Sequence, residues 1–200
     1  MKERPVKRYP EIGCCGIDCG LCPRYHTDGP SRCPGCSGPG FFEVMSGCGN
    51  ITCCVTKKGL EVCGECDEFP CKRFESWLDE APSGVTDSFV THRRTKPNLE
   101  FIRDAGLEPF VEQLRERMGL LETMLGGYNE GRSKSRYCLA AALLPIDGLR
   151  TALRDAEASV EAEGIPAGDL KARAKVLRGL LDELALREGV ELKLGAKKGE

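Results

Sequence analysis

The chain has 200 residues, 40% of them apolar and 30% charged, with a formal net charge of −2. This balance suits a folded, water-exposed protein and excludes a long disordered chain. The longest apolar stretch, Cys138 to Leu144, is far short of the roughly 20 residues that cross a membrane. The first ten residues are basic but lack an apolar run, so no secretory leader and a cytoplasmic location are expected.

Residues 13–71 are rich in Gly, Pro and Cys, with few apolar residues between them. Such a segment buries too little apolar surface to fold unaided and needs cross-links or metal. Gly29-Pro30, Pro34-Gly35 and Gly38-Pro39 read as turns. Phe41-Phe42 with Val44-Met45 read as a short strand or as packing for the metal core, and Leu60 to Val62 as another strand-length piece. From Pro70 onwards the pattern becomes helical. Phe74, Trp77 and Leu78 share one face of a short helix that Pro82-Ser83-Gly84 stops, and Trp77 is expected at a seam between domains. A linker closes at Pro97, Asn98 caps the next helix, and Gly106 ends it. Helices follow over Leu107–Leu125, broken by Gly126-Gly127, then over Tyr137–Leu144, 146–162 and Lys171–Arg187. Val190 to Leu194 alternates like a short strand or a tail. The expected fold class is therefore a small α+β protein. A cysteine-rich metal-knuckle domain with short strands (residues 1–80) leads through a linker (81–97) into an all-helical domain (98–200).

Thirteen cysteines are present, and all but Cys138 lie between Cys14 and Cys71. In a reducing compartment such a block reads as a metal framework rather than a disulfide framework. Three Cys-x-x-Cys pairs, Cys19/Cys22, Cys33/Cys36 and Cys63/Cys66, turn two thiolates toward one ion. Gly20, Gly35 and Gly64 ease those turns, and peptide N–H groups there can donate to the sulfurs. Cys14, Cys15, Cys48, Cys53, Cys54 and Cys71 flank the pairs. Neighbours such as Cys14-Cys15 and Cys53-Cys54 point to opposite sides of extended backbone, so one of each serves a main site. The Cys15-x3-Cys19-x2-Cys22 spacing also occurs in radical S-adenosylmethionine enzymes. The barrel those enzymes require does not follow it here.

The runs Cys15-Gly-Ile-Asp-Cys19-Gly-Leu-Cys22-Pro23, Cys33-Pro-Gly-Cys36, Lys58-Gly-Leu-Glu-Val-Cys63-Gly-Glu-Cys66 and Phe69-Pro-Cys71 resemble the family DUF3795 over residues 13–80. The family occurs in bacteria and archaea, including many anaerobes, and carries no established activity. The resemblance implies metal ligation by Cys15, Cys19, Cys22, Cys33, Cys36, Cys54, Cys63, Cys66 and Cys71, with Cys48 close to a family position. Cys14 and Cys53 look like additions to that pattern.

Thiolates serve both zinc and iron–sulfur centres. The Cys33-Pro-Gly-Cys36 and Cys63-Gly-Glu-Cys66 turns look like zinc knuckles. Pro23 after Cys22 and the anaerobic distribution of the family point toward a [4Fe-4S] cluster. Zinc in cysteine-only sites, serving a structural or protein-interaction module, is the leading expectation. An iron–sulfur protein with a redox or electron-transfer role is the alternative.

No Ser-His-Asp set, phosphate-binding loop or HExxH motif is present, and with only two histidines imidazole catalysis has few options. No catalytic residue is assigned, and a non-enzymatic role is favoured. His26 lies in an exposed loop between two Cys pairs. Arg132, Lys134 and Arg136 before the 137–144 helix are candidate anion-binding residues, weighed against a solvated turn. Cys138 reads as a small buried hydrophobe. Residues 1–80 hold ten Lys or Arg against twelve Asp or Glu. Each four-thiolate site holding a divalent ion would add two more negative charges, which argues against nucleic acid as partner. A protein partner and no membrane are expected.

Overall fold

The computed structural model describes residues 6–74, 87 and 89–194. Trp77, Leu78 and the Pro82-Ser83-Gly84 stop lie outside the described residues. Contacts divide the chain into two compact units. One gathers the described residues up to Arg115, and the other spans Glu116–Lys193.

Turns and short helical pieces make up most of the first unit. A 3-10 turn covers Cys19–Leu21 and another Cys63–Glu65. Helix α1 spans Phe41–Val44, and α2 (Gly49–Ile51) opens into a π-helical turn over Thr52–Lys57. The α+β expectation is overturned here, because no strand occurs among the described residues. Phe41-Phe42 and Val44-Met45 form α1 and its end, with Met45 N–H bonded to the Phe41 carbonyl. Residues 60–62 run as irregular chain into the Cys63 turn, and 190–194 is likewise irregular. A β-strand is completed by ladder bonds to a second strand. In this segment the knuckles claim those groups instead: Cys36 N–H bonds to Pro10 O (2.7 Å), Gly20 N–H to Glu11 O (2.7 Å) and Cys63 N–H to Cys14 O (2.8 Å).

Helix α3 spans Thr95–Ala105 and buries Thr95, Asn98, Leu99 and Ile102, a stripe at i, i+3, i+4 and i+7. Asn98 is therefore an interior residue rather than the expected cap, and the cap position falls on Arg94, four residues earlier. Pro97 fits because the first-turn N–H groups have no intrahelical acceptor. The buried Asn98 amide donates to Gly16 O and to Asp18 Oδ1, both at 2.8 Å, tying α3 to the cysteine-rich segment. Two glycines make room for this helix. A Cβ on Gly16 would stand 2.7 Å from Leu99 Cγ and from Thr95 O, and one on Gly64 would stand 2.8 Å from Leu99 O. Gly106, at φ 95°, ends α3 with its N–H on Ile102 O.

Helix α4 runs from Leu107 to Tyr128. The expected break at Gly126-Gly127 does not occur. Met124 and Tyr128 are both buried, and their packing outweighs the roughly 1 kcal/mol that each glycine costs a helix.

The remaining helices of the second unit follow the sequence periodicity closely. They are α5 (Lys134–Leu143), α6 (Ile146–Ala162) and α7 (Leu170–Arg187). Helix α6 buries Leu149, Ala152, Leu153, Ala156 and Val160. Helix α7 packs against it with Ala174, Leu177, Leu181, Leu184 and Ala185, after Asp169 caps its start by accepting from Ala172 N–H. Arg117, buried in this unit, donates from Nη1 to Ala141 O (2.6 Å) and Leu144 O (2.8 Å), placing a cation on the carbonyl end of α5. No described helix is long and apolar enough to cross a membrane.

Candidate metal centre

None of the thirteen cysteines is joined in a disulfide. The knuckles bring them close by local geometry. In each 3-10 turn the second cysteine closes back on the first: Cys22 N–H to Cys19 O and Cys66 N–H to Cys63 O, both at 3.1 Å. The Cys33-Pro-Gly-Cys36 turn requires Gly35 at φ 87°, where a Cβ would meet Pro10 O at 2.2 Å. Glu65 steadies the third knuckle by accepting from Glu61 N–H and Val62 N–H, both at 3.0 Å. Glu61 in turn accepts from Arg8 N–H (2.8 Å) and Tyr9 N–H (2.9 Å), which pins the N-terminal residues beside that knuckle.

One chain of sulfurs results. Cys14 Sγ lies 3.6 Å from Cys36 Sγ, and Cys14 N–H also points at that sulfur at 3.5 Å. Side-chain interactions link Cys14 to Cys54 and Cys54 to Cys63. Those with Cys36 and then Cys54 hold the Cys14 thiol well below the usual range. The interaction with Cys54 likewise lowers Cys63. Cys36 and Cys54 move the opposite way. Cys36 is raised first by Cys14 and then by burial, and Cys54 first by Cys14, then by Cys63 and then by burial. Cys54 also approaches Leu60 O at 3.4 Å.

A looser second group surrounds Cys19. Burial raises Cys19, and the neighbouring Cys15, Cys22 and Cys33 raise it further. Burial lifts Cys15 to about 12 and raises Cys22. Cys66 accepts from Lys58 Nζ at 3.2 Å. Lys58 also pairs with Glu68 at 2.8 Å, and these two contacts, Glu68 first, raise its ammonium. A cavity of about 30 Å³ is lined by Cys53, Cys54, Cys63, Cys66 and Cys71 together with Lys58, Glu68 and Arg73. That is the space of one water or one ion. Cys48 is exposed, and its charge bears on Cys15.

Among the described residues, no three Cys, His, Asp or Glu side chains already form a group arranged to hold a metal ion. The Cys14–Cys36 pair has the spacing of two ligands. Two sulfurs bound at about 2.3 Å to a tetrahedral zinc stand about 3.8 Å apart, close to the Cys14–Cys36 separation. Rotation of a cysteine about χ1 moves its sulfur between staggered positions without moving the backbone.

Of the ten cysteines expected as ligands, Cys36, Cys54 and Cys63 belong to the sulfur chain. Cys15, Cys19, Cys22 and Cys33 make up the looser group, Cys66 and Cys71 line the small cavity, and Cys48 stands at the exposed edge. Cys14 was not among the expected ligands, yet it interacts with both Cys36 and Cys54. Its burial beside a half-buried Cys15 follows from the opposed directions of adjacent side chains, a signal present in the sequence. His26 donates to Gly20 O at 2.7 Å, bracing the first knuckle. The anion-binding candidates lie in the second unit. Arg136 pairs with Asp182, Arg132 is exposed, and the loop already holds a carboxylate of the chain itself: Glu130 accepts from Ser133 Oγ (3.0 Å) and Arg178 Nη1 (3.1 Å). Cys138 is buried in α5.

A turn-built, thiol-lined module with no sheet among the described residues is the class of protein that the first unit defines. Residues 11–76 match the family DUF3795, described as a protein of unknown function. No curated protein and no solved structure matches the chain.

Proposed function

We propose that residues 11–76 form a cysteine-only zinc module of a cytosolic protein, in which metal fixes the fold and the fixed surface serves interaction with another protein. The observation that carries this reading is the Cys36–Cys14–Cys54–Cys63 sulfur chain. Its closest pair already has the spacing of two ligands on one ion. A divalent ion would displace the protons of the sulfurs that it binds and satisfy those sulfurs together. Zinc would supply cohesion to a segment with little apolar core, and it brings no redox chemistry of its own. The second group, Cys15, Cys19, Cys22 and Cys33, provides donors for a second ion.

The test is metal content together with an ultraviolet–visible spectrum on protein purified without oxygen. Zinc at one or two ions per chain without visible absorbance supports the module. Iron and sulfide with a broad band near about 400 nm would replace it with an iron–sulfur centre and a redox role. Absence of any stoichiometric metal would overturn both.

A further inference from the structure

Cys14 and Cys36 lie 22 residues apart in the chain, yet their sulfurs stand 3.6 Å apart. Both are buried, at 1% and 9% exposure, in the apolar cluster that also holds Phe41, Ile51 and Val55. The backbone holds each cysteine from its own side. Cys36 N–H donates to Pro10 O at 2.7 Å, and Cys14 O accepts from Cys63 N–H at 2.8 Å. A Cβ on Gly35 would meet Pro10 O at 2.2 Å, so the turn before Cys36 is seated directly on the segment that leads into Cys14. Cys14 N–H also points at the Cys36 sulfur, at 3.5 Å. Two such sulfurs must close to about 2.05 Å to bond. Rotation about the two χ1 angles moves them without moving the backbone.

We propose that Cys14 and Cys36 are a two-electron redox pair, joined as a disulfide by a small hydroperoxide such as hydrogen peroxide. One sulfur attacks the peroxide. Its S–O bond forms as the O–O bond breaks, and a first water leaves. The other sulfur then displaces the bound oxygen as a second water, and the S–S bond forms. Both thiol protons end in water, and two electrons pass from the sulfurs to the peroxide. The oxidant must be small because neither sulfur is open to a bulky one. The bond closes a loop that carries Cys19, Cys22 and Cys33, and so staples a segment poor in apolar core. Thiol reductants reverse it by exchange. The pair stands on the sulfur contact itself and goes beyond the metal reading.

The experiment adds one equivalent of hydrogen peroxide to the full-length chain as purified without oxygen. Samples are quenched at intervals with an alkylating agent, digested, and mapped by fragmentation mass spectrometry, while a zinc-sensitive dye follows metal release. The expected first product is about 2 Da lighter than the parent, with its bond between Cys14 and Cys36. Cys14→Ser and Cys36→Ser should each slow the first disulfide about tenfold or more, because each loses a partner already in place. Cys138→Ser should keep the parent rate. A first bond between other cysteines, or an unchanged rate in Cys14→Ser, overturns the pair. The parent's own bond map needs no variant, so it decides the matter even if a serine variant fails to fold. A chain that holds no metal and still forms the Cys14–Cys36 bond supports the pair and overturns the zinc module, which keeps the two failures apart.

Discussion

The two units reach a folded interior by different chemistry. In the second, Leu149, Leu177 and Leu181 are fully enclosed, and a run of alanines in α5 lets neighbouring helices approach. In the first, the buried cluster around Phe41, Ile51 and Val55 is completed by Cys14, Cys36 and Cys54, with Cys19, Cys33 and Cys63 packed on its edge. Sulfur replaces aliphatic carbon as core material. Aliphatic burial is non-directional and stable by itself. On the metal reading proposed above, the cohesion of a thiol-lined core depends on what binds the sulfurs. One unit should therefore answer to metal and the other to packing.

Metal removal tests that contrast most strongly. Structural zinc in small knuckle domains is worth about 10–16 kcal/mol in apparent terms. A strong chelator should open residues 13–71 to limited proteolysis while a fragment covering 116–193 stays protected. Mass spectrometry of the fragments reads the outcome, and simultaneous loss of both units would break the comparison. Next in size is Leu177→Ala, which empties a fully buried site in α7 and should cost about 2–5 kcal/mol. Denaturant unfolding would show the loss, and metal stoichiometry should not change. Asn98→Ala should cost about 1–3 kcal/mol, because it leaves Gly16 O and the Asp18 carboxylate without their donor. Hydrogen exchange should show faster opening of α3 and of the Gly16 turn, with the α6–α7 pair unaffected.

The smallest effect lies in the second unit. Burial and a 2.6 Å hydrogen bond to Glu157 raise the Tyr128 phenol from 10.0 to about 12. A raised folded value favours the folded state while the phenol stays protonated. That contribution is complete below pH 10.0 and fades as pH climbs through about 12. Tyr128→Phe should cost about 1–2 kcal/mol at neutral pH and flatten this alkaline decline, measured by thermal melts of the full chain across the interval.

The helical half was largely legible because its signal repeats. Leu149, Leu153, Ala156 and Val160 recur at helical spacing, and α6 spans the residues that this pattern marks. Where a local rule competed with packing, packing prevailed. Gly126-Gly127 did not stop α4, because Met124 and Tyr128 on either side of it are both enclosed. The expected strands failed for a different reason. Short apolar runs at 41–45 and 60–62 have no periodicity that distinguishes strand from turn, and the knuckle backbone had already engaged the groups that a ladder would need. Arg117, at the end of α5, carried no sequence signal at all, since its acceptors lie 24 and 27 residues further along the chain.

By itself, the sequence determined that the first seventy-odd residues are a thiol framework and that helices follow. Both are properties of spacing along the chain: two residues between paired cysteines, three or four between core positions. Tertiary structure alone decided which sulfurs meet, that Cys14 rather than Cys15 joins Cys36, and that Asn98 faces the Gly16 turn. Those outcomes depend on contacts between residues far apart in sequence. No local pattern encodes them, because the closeness that gives each contact its energy exists only once the chain has folded.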